Sequence, residues 1–146
     1  MTQLTIRPIA SGEEDAVIAL WHACGLTRPW NDPARDLAFA RGKPNSDVLV
    51  GLVHDRIIAG VMVGHDGHRG AMYYVSVEPS QRALRYGREI VAAAEAWLLE
   101  RGVWKANLLI REGNEAVLGF YDKLGYETGP ARQIQKWLDP AKRGNR

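Results

Sequence analysis

The sequence predicts an α/β fold of the α+β kind, a mixed central sheet of about six to seven strands flanked by four helices. Three observations carry that expectation. The apolar period switches repeatedly between two and 3.6 residues, which marks strands and amphipathic helices in turn. The order is β-α-α-β-β-β-α-β-α-β, which is no regular βαβ repeat. The chain has 146 residues, 46% hydrophobic and 25% charged, the balance of one globular domain able to bury a core. No repeat, low-complexity stretch or linker divides it, so residues 1–139 read as a single domain and 140–146 as a flexible basic tail.

The elements follow in order. Leu4 to Ile9 alternates as a short strand. Ser11-Gly12-Glu13-Glu14 reads as a capping box before Val17, Leu20, Trp21 and Cys24 at helical spacing, and Gly25 suits the stop. Asn31 or Asp32 before Pro33 starts a second helix toward Arg41. Val48–Val53 and Ile57–Val63 are β-rich runs around His54-Asp55-Arg56, a hairpin signal. A polar turn, His65 to Gly70, leads into the strand Ala71–Val77, so three successive antiparallel strands are the simplest reading. After Gly87 a helix places Ile90, Val91, Ala94, Trp97 and Leu98 on one stripe and stops at Gly102. Lys105–Ile110 is another strand. Asn114 caps a helix bearing Val117, Phe120, Tyr121 and Leu124, and Gly125 closes it. Arg132–Leu138 is the expected last strand.

Composition excludes some classes of function. The formal charge of +2 is too small to point to nucleic acid. No apolar run approaches the ~20 residues that span a bilayer. The opening MTQLTIRPIA lacks the apolar core of a secretory leader, and the single Cys24 excludes an internal disulfide framework. These features predict a cytoplasmic protein without membrane or nucleic-acid partners.

The junction between the strand ending at Val77 and the helix after Gly87 carries Arg82, Arg85 and Arg88. Helix N-termini present unsatisfied N–H groups with partial positive charge, so a phosphate or pyrophosphate suits this place. An ordinary turn with solvated arginines is the other reading of these residues alone.

Taken with the downstream run N-E-A-V-L-G-F-Y-D-K-L-G-Y, this strand, turn and helix resemble the GNAT N-acetyltransferase superfamily over nearly the whole chain. The resemblance implies a GNAT-like sheet and acetyl-CoA as acetyl donor, with its pyrophosphate at Arg82-Ala83-Leu84-Arg85-Tyr86-Gly87 and Arg88. The family turn reads Arg or Gln, two residues, Gly, one residue, then Gly or Ala, so Arg85 stands at a family glycine. Arg85 then either lends charge to phosphate or crowds the loop, and the added Cβ argues for weak obstruction. By the same resemblance Asn114 contacts the cofactor, and Tyr121, two helical turns on, protonates the leaving thiolate. The family also implies that Val75, Ser76 and Val77 offer backbone groups to the pantetheine arm, which enters where this strand splays from a parallel Lys105–Ile110.

The acceptor side is less determined. The family's acceptor site is bordered by the loop between the first two helices, here Gly25 to Pro33, so Trp30 and Asn31 are candidate substrate contacts. No carboxylate occupies Leu108-Leu109-Ile110, where some family members keep a base; Asp66, His68 and Glu78 are the alternatives, with Asp66 and Glu78 also candidate substrate contacts. The HDGHRG loop resembles a bacterial branch similar to ribosomal-protein alanine N-acetyltransferases. Its two histidines do not fix tetrahedral geometry, so no metal is expected. Cys24 lies on an apolar helix stripe, which speaks against an acetyl-cysteine route. The expected function is direct acetyl transfer to a primary amine of a small molecule or a peptide or protein; the family also allows a homodimer. The alternative is a CoA-binding or interaction module whose altered turn has weakened or lost catalysis.

Overall fold

A computed structural model describes residues 3–143, apart from the side chains of Ala83 and Leu84. The chain divides into two compact units, Met1–Leu108 and Leu109–Arg146.

The first unit holds a five-stranded sheet in the order β1-β2-β3-β4-β5. The strands are β1 Thr5–Pro8, β2 Ser46–Val53, β3 Arg56–His65, β4 Gly70–Val77 and β5 Ala106–Asn107. The first four pair antiparallel, and β5 runs parallel to β4. The β2–β3 hairpin turns at His54 and Asp55, both at positive φ (50° and 62°), the handedness that tight two-residue hairpins require.

Three helices belong to this unit: α1 Glu14–Ala23, α2 Pro33–Ala40 and α3 Tyr86–Glu100. Alternation along β2 sends Val48, Val50 and Leu52 to one face, where they join Val17 and Trp21 of α1 and Leu37 and Ala40 of α2 in a buried cluster. The opposite face receives α3, whose Ile90, Val91, Ala94, Trp97 and Leu98 are all buried as the stripe predicts. Gly70 opens β4 on that face. A Cβ there would lie 2.6 Å from Leu98 Cδ1, so glycine lets the end of α3 close onto the strand without displacing the Leu98 side chain.

The helix starts partly depart from expectation. Asp32 caps α2 by accepting from the N–H groups of Ala34 and Arg35, with Pro33 in the first turn. Ser11 does not cap α1, which begins at Glu14 without a side-chain cap. The glutamates bind elsewhere: Glu13 takes Arg7 in a two-pronged ion pair (2.9 and 2.8 Å) and the Ala10 N–H, while Glu14 takes the Gly12 N–H and Arg41. Hydrogen bonding to Arg7 and to the Ala10 N–H holds the Glu13 carboxyl down to about 2.

The second unit contains α4 Ala116–Lys123 and a 3-10 turn over Pro140–Arg143, in which the Lys142 N–H donates to Asp139 O. The expected strand Arg132–Leu138 is not formed: residues 131–137 have no regular structure, and Ile134 and Leu138 are almost fully exposed. One alternating face of this run carries Arg132, Ile134, Lys136 and Leu138 and the other Gln133, Gln135 and Trp137, so neither is apolar throughout and neither specifies a register. Among the described residues the sheet therefore has five strands instead of six or seven, while the four helices are as expected. Among the described residues no helix is long and apolar enough to cross a membrane.

Candidate active site

β4 and β5 pair only at Gly70–Ala106 and Ala71–Asn107, although β4 continues to Val77. The expected strand Lys105–Ile110 thus shortens to two residues, and β4 leaves its parallel neighbour early. A bulge deepens the break. The β3–β4 register slips between Gly60–Ser76 and Met62–Tyr73, and Tyr74 takes a positive φ of 54° there. Ser76 is buried, and its hydroxyl lies within hydrogen-bond reach of Gly60 O (3.2 Å) and Tyr74 O (3.1 Å), so its side chain pins the bulge.

The Glu78 N–H donates to Ile58 O at 2.7 Å, so Glu78 and, two residues back, Ser76 turn their backbone toward β3. Val77 between them turns its own to the other edge. Its carbonyl there accepts the Cys24 thiol (3.2 Å) and Arg82 Nε–H (3.3 Å). Cys24, at the C-cap of α1, thus ties that helix end to the end of β4.

Beyond β4, a 3-10 turn over Pro79–Leu84 leads into α3. The Glu78 carboxylate caps that turn by accepting the Ser80 N–H and hydroxyl. Those bonds, with the charges of Arg56 and Arg82, hold Glu78 below the usual carboxylate range. Asp66 is lowered likewise by the N–H groups of Arg69 and His68, whose turn it closes. Both carboxylates are therefore committed to turns and lie far from the neutral pKa of an effective general base.

Arg85 links the 3-10 turn to α3 at φ 70°, ψ 7°, the left-handed conformation that glycine adopts most readily. Arginine holds that conformation here, at the position where the family pattern has glycine. Arg85 and Arg88 are exposed, three residues apart at the helix start, and neither side chain has a partner among the described residues. α3 has no side-chain cap, so its leading amides have no acceptor of that kind. Tyr86 is buried beneath this start. The backbone of Ala83 and Leu84 belongs to the 3-10 turn; their side chains lie outside the described part. An uncapped helix end with free guanidinium groups fits a phosphorylated cofactor.

On the α1–α2 side of β4, the Tyr74 ring stacks on the fully buried Trp21, with centroids 3.9 Å apart and planes within 10°. The Tyr74 hydroxyl donates to Asp36 Oδ2 at 2.7 Å. Burial, then the bond to Asp36, pushes this phenol far above its ordinary value. Sequence reasoning missed this pair, because the partners lie 38 residues apart and no local pattern joins them. In the loop, the Asn31 N–H donates to Arg28 O, and Arg28 Nη1 donates to Gly25 O and Thr27 O. Trp30 is half-buried and Asn31 exposed.

The second unit places Asn114 two residues before α4 instead of at its cap. Glu115 is the N-cap residue, and its carboxylate accepts the Gly113 N–H; Asn114 O accepts from the Val117 N–H, and its side chain is exposed. Tyr121 is buried on α4, with Phe120 and Tyr126 edge-on at 4.9 and 5.5 Å. Burial raises its phenol above the ordinary value, so the hydroxyl keeps its proton at neutral pH. Among the described residues no group of three or more His, Cys, Asp or Glu side chains is arranged to hold a metal.

The model of the acetyltransferase (GNAT) family matches residues 15–126. The chain belongs to that family, and its enzyme class is N-acetyltransferase. It is similar to an acetyltransferase of Yersinia pseudotuberculosis, 40% identical over 135 residues that cover 92% of this chain and 96% of that one. A Pectobacterium atrosepticum acetyltransferase is 41% identical over 125 residues, covering 86% and 89%. Among solved structures, the fold is similar to AAC(6')-Iy in complex with a CoA-containing bisubstrate analog, with TM-score 0.79, 14% identity, and 93% and 99% of the two chains covered. A putative acetyltransferase from Agrobacterium tumefaciens has TM-score 0.74 at 18% identity, covering 90% and 99%.

Proposed function

We propose that this chain takes the acetyl group from acetyl-CoA and passes it directly to a primary amine. The observation that carries the reading is the run from β4 to α3: a bulged strand that parts from its parallel neighbour, then a left-handed Arg85 at an uncapped helix start. We read residues 1–139 as one acetyltransferase domain; the family match from 15 to 126 runs across the boundary at Leu108. A cytoplasmic setting accords with this chemistry.

Acetyl-CoA, when bound, supplies the acetyl group as a thioester. The amides from Ala83 to Arg88, with the charges of Arg82, Arg85 and Arg88, would hold the pyrophosphate. Arg82 is also tied to Val77 O, so it stiffens the turn as well as charging it. Val75, Ser76 and Val77 would offer main-chain groups along the open edge, where an N–H can meet a developing oxyanion. The Val77 carbonyl already receives Cys24 and Arg82, which leaves its N–H as the group for that role. Asn114 would contact the cofactor through its exposed amide. The Tyr121 hydroxyl holds the proton that the leaving sulfur needs. With Glu78 and Asp66 closing turns, proton removal from the amine falls to solvent or to the acceptor's own equilibrium.

The rival reading, a CoA-binding module without catalysis, drew on Arg85. The left-handed backbone at Arg85 supports a working turn. Thiol release from acetyl-CoA with a panel of primary amines separates the two. Amine-dependent release with acetylated product supports transfer; saturable acetyl-CoA binding without release from any amine favours the module.

A further inference from the structure

Tyr74 and Asp36 form a feature that acetyl transfer alone does not explain. A bulky aromatic residue in the left-handed region is strained, and such positions persist where surrounding contacts hold them. Here the contacts are the Trp21 stack and the bond to Asp36 Oδ2. Asp36 is half-buried on α2 and takes part in no ion pair among the described residues. Its second oxygen, Oδ1, accepts no hydrogen bond there. Arg28 is the nearby cation, near enough to act on the Tyr74 phenol, but its Nη1 is given to Gly25 O and Thr27 O. The first turn of α2 and the Tyr74 hydroxyl favour the charge of Asp36, and among the described residues no cation pairs with it directly. The carboxylate is held rigidly beside the bulge with an oxygen to spare.

We propose that the free oxygen of Asp36, oriented by Tyr74, binds an ammonium group of the acceptor other than the one acetylated, so the acceptor is a small molecule with at least two amines. The role must fall to a non-reacting amine. A carboxylate in contact stabilises the charged form of an amine, which raises its pKa and suppresses the free-base form needed for attack. Asp36 is thus a specificity-determining residue. The inference rests on the acetyltransferase reading for the word acceptor, but the binding it describes can be measured without an acetyl donor.

The test is an NMR titration of the full chain with 1,4-diaminobutane and, as a matched control, 1-aminobutane. The diamine should bind at least about 10-fold more tightly, as one charge-assisted contact implies. Asp36→Asn should abolish that difference, and Tyr74→Phe, which keeps the carboxylate, should retain most of it. An aminosugar with several amines forms a third arm, and the tighter of it and the open-chain diamine identifies the source. Equal affinity of wild type for the monoamine and both polyamines overturns the proposal, even if a variant fails to fold. A preference retained by folded Asp36→Asn overturns it too. With acetyl-CoA present, the same substitution should raise KM for the diamine at least about 10-fold while kcat and the monoamine rate hold. Thiol release absent with every amine would sink the transfer reading and leave the donor-free titration to decide this one.

Discussion

Tyr121 is buried with its proton held firmly, so it can donate at any pH where an amine acceptor is partly deprotonated. Tyr121→Phe removes the proton and little volume. Turnover should fall by roughly 10²–10⁴ while acetyl-CoA affinity stays within a few-fold, measured by initial rates beside a binding titration. Because its phenol is raised, the alkaline limb of the wild-type rate profile should not fall before about pH 10 through loss of this proton. Arg85 offers the second test at this scale. It already has the glycine-like backbone, so the shape argument for obstruction gives way and the exposed charge remains. Arg85→Gly should relieve about 1 kcal/mol of left-handed strain and raise Tm. It should also weaken acetyl-CoA binding by roughly 10-fold at low salt, the size of one charge-assisted contact. Tighter binding would restore obstruction.

At the scale of elements, the start of α1 is fastened by ion pairs and backbone bonds from Glu13 and Glu14 in place of a serine cap. Glu13 is depressed to about 2, whereas an unfolded glutamate titrates near 4.3. The folded form therefore gains stability that is fully present above about pH 5 and disappears as pH falls through about 2. Since the pair is partly solvated, the gain is small, on the order of 0.2–1 kcal/mol. Denaturant titrations of Glu13→Gln should show that deficit at pH 7 and convergence with wild type near pH 2. A pH-independent deficit would mean that the side chain acts by packing. The same start shows what a sequence conveys. Ser11-Gly12-Glu13-Glu14 has the letters of a capping box, but Arg7 and Arg41 claim the carboxylates, and Arg41 is 27 residues from its partner. The α3 stripe and the His54–Asp55 hairpin depend on near neighbours, and they were legible. Arg132–Leu138 had only Ile134 and Trp137 as strand formers, on opposite faces, and no ladder formed.

For the molecule as a whole, the family match and the antiparallel β2–β3–β4 meander with its parallel β5 follow from patterns visible in the chain. The residues that the sequence offers as candidates are local: the arginine-rich turn, Val75 to Val77, and the Asn114–Tyr121 spacing each occupy a short stretch. The Tyr74–Asp36 pair escaped because the fold alone joins β4 to α2. If the β4–α3 junction holds acetyl-CoA, a calorimetric titration of the 146-residue chain with acetyl-CoA at fixed, low salt shows it. The predicted result is saturable one-site binding that weakens as salt rises, since arginine charge contributes to it. A folded protein that gives no saturable heat with acetyl-CoA would mean that this junction is not a cofactor site.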